Sequence, residues 1–346
     1  MKKTICVICS LLSLCLSSCS TGSTSYKTQS GIEFNYNNIS AYNDFWITND
    51  NICFLEDSLF QNYFLANENG KKRIDSNQGY GFGKIQQYGK KIYMLDQHNV
   101  IDESNSDYQL KCYDVESKKT TGLITIRNCD NFLILDENVV YLEYDWSTDS
   151  RTLALKLFSV NSNSYKTINN SVLSFGVIGK TLYYVTEEEN VIAIFQYDIE
   201  MNSSAKCGEF VLKVADVESF REGVIVSYTP NYVILSWSDY QNNAATIWKF
   251  AFEEKNVNII EVNGCISKFI SFDKCSYFAM VDCREESVTK ILKMTNDTNE
   301  MLQIGQIAGD CSLFVGSDKG VYVLEYDKSI LIYYTEQNTS EIVYKF

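Results

Sequence analysis

A short polar turn followed by a β-branched or aromatic strand recurs seven times along the chain, and that recurrence limits the fold more than any other feature. The copies read "NDNICFL", "GKKIYML", "DENVVYL", "GKTLYYV", "TPNYVIL", "FDKCSYF" and "SDKGVYV". With Ile52, Ile92, Val140, Leu182, Val233, Tyr277 and Val321 as equivalent anchors, successive spacings are 40, 48, 42, 51, 44 and 44 residues. A second strand follows each copy, anchored at Phe64, Tyr113, Phe158, Tyr197, Phe250, Met294 and Tyr334, with spacings of 49, 45, 39, 53, 44 and 40. Two independent series therefore agree on a unit of about 45 residues.

A repeat of that length needs a strand-only unit here, because no amphipathic helix signal of useful length runs between the copies. The 24 Tyr, 19 Phe and single proline suit strands. A parallel α/β sheet would need helical crossovers. The expected fold is all-β: a seven-bladed β-propeller of four-stranded blades over residues 31–346. In the fourth unit the strands read "LSFGVI", "TLYYVT", "VIAIFQYD" and "GEFVLKV". One such sheet cannot bury both faces, whereas seven stacked face to face in a ring can, which explains apolar runs as long as the strands. A β-solenoid favours shorter repeats, and paired sandwiches would not keep the register.

The N-terminus must be set aside before the fold is read. "MKKTICVICSLLSLCLSSC" has two lysines, then an apolar run from Ile5 to Leu16 that is shorter than the roughly 20 residues a bilayer demands. Residues 1–18 are expected to be a secretion signal. "LSSC" resembles the bacterial lipoprotein box, which implies that Cys19 becomes a diacylated N-terminus, with residues 19–30 as a small, polar tether. That places the chain outside the cytoplasm, held to a bacterial membrane by its lipid.

Charge narrows the partners. The whole chain is at −14, and without Lys2 and Lys3 it has 28 basic against 44 acidic side chains, or −16. Nucleic acid is disfavoured as a partner, and anionic headgroups add nothing to the acyl anchor.

The repeats also resemble the bacterial lipoprotein propellers of the TolB-like and YVTN-like group, whose blades follow "G-x-x-ϕ-Y-Y … L-x-x-Y-D". Gly89 to Met94 with Leu110 to Asp114 carry that form, as do Gly179 to Val185 with Ile194 to Asp198. The motif is structural, so the resemblance implies the fold and carries no functional residues. The Trp-Asp ending of WD repeats and the sialidase box are both missing; "GSDKGVYV" reads as a hairpin turn.

Function on such a ring belongs to loops on one face. The turns between first and second strands are tight, and those between second and third are longer, so the second-to-third connections are the expected binding face. They carry Trp146, Trp237 and Tyr240 among Asp102, Asp107, Asp145, Asp149, Glu187, Glu188, Asp239 and Glu285. Aromatic faces beside carboxylates suit a sugar ring or a cationic peptide. The plainer reading is solvated loops with the tryptophans tucked against blade edges.

No recipe for catalysis is complete in the sequence. His98, the single histidine, reads as a solvated loop residue beside Asp96. No carboxylate pair stands out for glycoside hydrolysis, and His and Cys never fall at zinc-ligand spacing. "DESNSD" and "NDTNE" lack the EF-hand glycine and terminal glutamate. No cofactor is expected. The two function classes are a surface-tethered binding module for a protein or glycan, which the sequence favours, and a carbohydrate-active or other hydrolytic propeller. Eight further cysteines follow Cys19; Cys265 and Cys311, opening the inner strands of adjacent blades, form the one candidate disulfide, and the others read as small apolar residues.

Overall fold

The computed structural model describes residues 45–47, 52–56, 62–67, 69–76, 84–102, 105–136, 138–145, 152–214, 216–282, 288–309, 311–325, 330–335 and 337–345. Expectations about residues 1–44, Cys19 included, fall outside them, as do those about Trp146, Asp149, Cys283 and Glu285.

Among the described residues twenty-eight strands form seven four-stranded antiparallel sheets. Blade one is β1 (Phe45–Ile47), β2 (Ile52–Glu56), β3 (Asn62–Asn67) and β4 (Gly70–Ser76); blade two is β5 (Lys84–Tyr88), β6 (Lys91–Asp102), β7 (Asn105–Asp114) and β8 (Lys119–Arg127). Blade three is β9 (Cys129–Leu135), β10 (Asn138–Asp145), β11 (Thr152–Ser159) and β12 (Ser164–Asn169); blade four is β13 (Ser174–Ile178), β14 (Thr181–Glu188), β15 (Val191–Asp198) and β16 (Ser203–Val211). Blade five is β17 (Ile225–Tyr228), β18 (Tyr232–Asp239), β19 (Ala244–Ala251) and β20 (Asn256–Asn263). Blade six is β21 (Cys265–Ser271), β22 (Cys275–Val281), β23 (Val288–Thr295) and β24 (Met301–Ala308); blade seven is β25 (Cys311–Ser317), β26 (Gly320–Glu325), β27 (Ile330–Thr335) and β28 (Ser340–Lys345). Every sheet runs in chain order, so among the described residues the first and last blades share no strand.

All seven anchors of the first series lie on second strands and are fully buried. Ile92–Tyr113, Leu182–Tyr197, Val233–Phe250 and Val321–Tyr334 are directly opposed cross-strand pairs. In blades three and six the second-series anchors Phe158 and Met294 face Val139 and Ser276 instead, so the equivalences at Val140 and Tyr277 are each one residue late, and in blade one Phe64 faces Phe54 while Ile52 faces Ala66.

The cores lie between blades. Val233 and Leu235 pack toward blade four while Ile234 packs toward blade six, so one strand feeds two cores and is apolar throughout. One continuous core joins blade seven (Tyr322, Leu331, Tyr344), blade one (Ile52, Tyr63, Leu65) and blade two (Ile92, Met94). Among the described residues, side-chain packing joins the ring at that seam.

The first strands of neighbouring blades are not paired with one another, which leaves edge N–H groups to be satisfied by side chains. Gln86 Oε1 accepts from Ile134 N at 3.0 Å across blades two and three, and Ser227 Oγ accepts from Ser271 N at 3.0 Å across blades five and six.

The fourth strands hold a feature the sequence reading missed. In six blades the fourth strand carries one extra residue against the third: Ile74, Leu123, Ile168, Cys207, Ile304 and Val343. All six are apolar, and each is turned at least partly inward: Ile304 and Val343 are buried in clusters, the others half-buried. The bulge at Cys207, with the tight turn at Asn202 (φ 55°), places the fourth strand of blade four at residues 203–211 rather than the 208–214 expected.

Candidate functional site

By topology the second-to-third connections and the linkers between blades share one end of the ring, and the structure puts the expected residues there at different depths. Glu187, near the end of β14, is no solvated loop acid: its side chain is 0% exposed and pairs with Arg221 Nε. Its Oε1 also accepts from Asn190 N at 2.9 Å, which closes the hairpin turn. Glu188 is exposed beside it.

Arg221 belongs to a helix that the sequence reading did not anticipate, α1 (Val217–Gly223), in the linker between blades four and five. Its signals are short but present: Asp216 caps it by accepting from Glu218 N and Ser219 N at 3.1 Å each, Glu218 lies in the first turn and Arg221 in the last. Phe220 is buried edge-on against Trp248, with centroids 5.6 Å apart. Seven residues are too few for a periodicity search to find.

Trp237 packs on this helix. Its indole Nε1 donates to Ser219 O at 3.1 Å, and its ring lies 3.6 Å from where a Cβ on Gly223 would stand. The tryptophan is half-buried, close to the plainer reading, and holds α1 in place. Tyr240, in the next turn, is 61% exposed. Asp239 accepts from Gln241 N and Asn242 N at 3.1 Å each and from Asn242 Nδ2 at 2.7 Å; the Asn242 side-chain bond is the main cause holding its carboxyl below the usual range.

Six of the seven second strands end in an acid: Glu56, Asp102, Asp145, Glu188, Asp239 and Glu325, with Asp282 directly after the seventh. Glu325 is buried and accepts from Ala308 N at 3.2 Å across blades six and seven. Among the described residues no group of three or more His, Cys, Asp or Glu is placed to hold a metal.

In blade two the expected loop is a strand. β6 and β7 stay paired out to Asp102–Asn105, with register shifts at Gln97/Asn99 and Val100/Asp102, so His98, Asp102 and Asp107 lie on a hairpin rather than in a loop. Asn128, at φ 49°, ties down the hairpin near its tip: Ser106 N donates to Asn128 Oδ1 at 2.9 Å and Asn128 N to Ser106 O at 2.8 Å.

Cys265 and Cys311 are both buried thiols, so the candidate disulfide is not formed. Cys265 Sγ points to Asp239 O at 3.8 Å, toward blade five, while Cys311 packs in the core between blades six and seven. The two side chains thus serve different interfaces. Burial alone pushes the Cys53 thiol up, far from a reactive thiolate.

Outside this face lies one buried ion pair that no expectation covered. Asp96 Oδ2 is 2.5 Å from Lys111 Nζ, which also approaches Asp75 Oδ2 of blade one at 3.6 Å. Desolvation raises the Asp96 carboxyl, with Lys111 opposing it.

Comparison with solved structures agrees on the ring. The β-propeller domain of the trilobed protease from Pyrococcus furiosus, whose structure reveals an open velcro topology, matches at 12% identity and a TM-score of 0.59, over 91% of this chain and 99% of that one. An uncharacterised Listeria monocytogenes protein matches at 10% identity and 0.59, over 92% and 97%. The acylaminoacyl peptidase of Pyrococcus horikoshii matches at 10% identity and 0.57, over 91% of this chain but 54% of that one, so the chain spans about half the peptidase's length. At such identities the likeness is one of fold. No family model matches the sequence, and no curated protein does.

Proposed function

We propose that this protein is a membrane-anchored, extracytoplasmic binding module, tethered through lipidated Cys19 once residues 1–18 are removed, with a protein or glycan ligand on the face of the second-to-third connections. The observation that carries the reading is the construction of that face. Arg221 is fixed by a fully buried Glu187, Trp237 is fixed by α1, exposed Tyr240 stands beside Asp239, and carboxylates end most second strands around the ring. Rigid aromatic groups among acids suit stacking on a sugar or contact with cationic groups. Nucleic acid is an unsuitable partner for a chain at −14. The second reading, a hydrolytic or otherwise carbohydrate-active propeller, draws on the peptidase neighbours.

Glycan and peptide arrays probed with the intact protein and with a Trp146→Ala, Tyr240→Ala double variant test the site. A ligand whose signal falls at least tenfold in the variant supports it. Equal signals from both proteins contradict it, and turnover of an arrayed glycan favours the enzyme. The address is tested separately: Cys19→Ala should move the protein from the membrane fraction to the soluble one, and unchanged membrane fractionation would overturn the lipid anchor.

A further inference from the structure

We infer that the outer edge of β20, on the rim of blade five, is a strand-addition site for an extended, basic segment of a partner protein. All seven fourth strands are sheet edges, and a bare edge is a template for another chain unless something blunts it. Six of them are blunted by the same device, the one-residue bulge that kinks the strand and turns an apolar residue inward. β20 is not: all eight residues pair with β19 without a shift.

The missing bulge has a visible consequence. In an unbroken strand successive side chains alternate, so adjacent Ile259 and Ile260 cannot both turn inward. Ile260 packs on the core between blades five and six, and Ile259 is left 50% exposed. The segment "NVNIIEVN" has one charge, Glu261. β24 has none and exposes Leu302, but its bulge at Ile304 breaks the line of outward groups. Only β20 therefore combines a regular edge, near neutrality and an exposed apolar side chain among the described fourth strands.

An added strand would take up about half of the backbone N–H and C=O groups of β20, which point away from β19. Ile259 would contact an apolar residue of the incoming strand. Charge selects its sign: Glu261 lies on the edge, the adjoining turn holds Glu253 and Glu254 against one lysine, Lys255, and the chain as a whole is at −14. A basic segment is attracted, and a second copy of this chain is repelled. The site is on the rim, apart from the face proposed above, so either proposal can fail without the other.

The probe is a synthetic peptide of alternating threonine and isoleucine between terminal lysines, with a fully N-methylated version and one ending in aspartates as controls. Titrated against the whole protein, the basic peptide should bind saturably and slow amide exchange at residues 256–263. Ile259→Lys should weaken binding at least tenfold, Leu302→Lys should leave it unchanged, and both control peptides should bind poorly. Protection at β24 equal to that at β20, binding that survives Ile259→Lys, or equal binding of the N-methylated peptide would overturn the inference. So would concentration-dependent dimers that Ile259→Lys abolishes and the peptide does not displace.

Discussion

At the residue scale, the side chains that carry charge indoors are held for structure. Asp96 shows which effect wins: Lys111 at 2.5 Å favours the carboxylate, yet burial outweighs it and raises the carboxyl. A group raised in the folded state binds its proton more readily there than when unfolded, so stability falls as pH rises from the ordinary Asp value, about 4, through the raised one. Asp96→Asn should therefore match the parent protein in acid and equal or exceed its stability at pH 7. Lys111→Met leaves a buried carboxylate without its cation and should cost about 3–5 kcal/mol at neutral pH. Denaturant titrations of the three proteins at both pH values check this; a large loss from Asp96→Asn at pH 7 would contradict it. None of this could be read from the sequence, because Asp75, Asp96 and Lys111 meet only when blade one packs on blade two. Glu187 reads as a wet loop acid in the sequence and is buried in the structure, since its partner Arg221 is 34 positions away on a helix too short to be foreseen.

At the scale of strands and turns, the 45-residue period was legible because second and third strands are anchored by large buried residues in every blade. First and fourth strands were less so. Four of the former, β1, β5, β13 and β17, have only three to five residues, and the latter depend on bulges and on glycines that receive a neighbour's aromatic ring. Phe250 lies so close to Gly208 that a Cβ there would stand 2.0 Å from its Cζ, and Tyr334 lies likewise against Gly305, at 2.2 Å. Phe250 and Tyr334 belong to the second anchor series, so each anchor grips the fourth strand of the preceding blade. Gly208→Ala and Gly305→Ala should each destabilise by about 1–3 kcal/mol through overpacking, seen as a lower thermal midpoint. Ala at Gly89, where nothing lies within 4 Å but φ is +57°, isolates the backbone cost from the clash and should do less harm. A loss at Gly89 as large as at Gly208 would refute the packing account.

At the scale of the whole molecule, seven contiguous sheets form a ring whose last seam is closed by side chains of blades seven and one. The count was foreseeable from spacing alone, whereas the seam was not, because strand sharing leaves no mark on a period. The binding face was foreseeable only as a set of connections; α1 and the blade-two hairpin, which shape it, depend on contacts between blades. Hydrogen exchange of the intact protein in solution, resolved along the chain, tests this architecture most directly. Seven blocks of slow exchange centred on β2, β6, β10, β14, β18, β22 and β26 are predicted, each followed by a faster fourth strand, with β28 exchanging as an edge like the rest. Six or eight slow blocks, or a β28 protected on both sides as an interior strand, would contradict it.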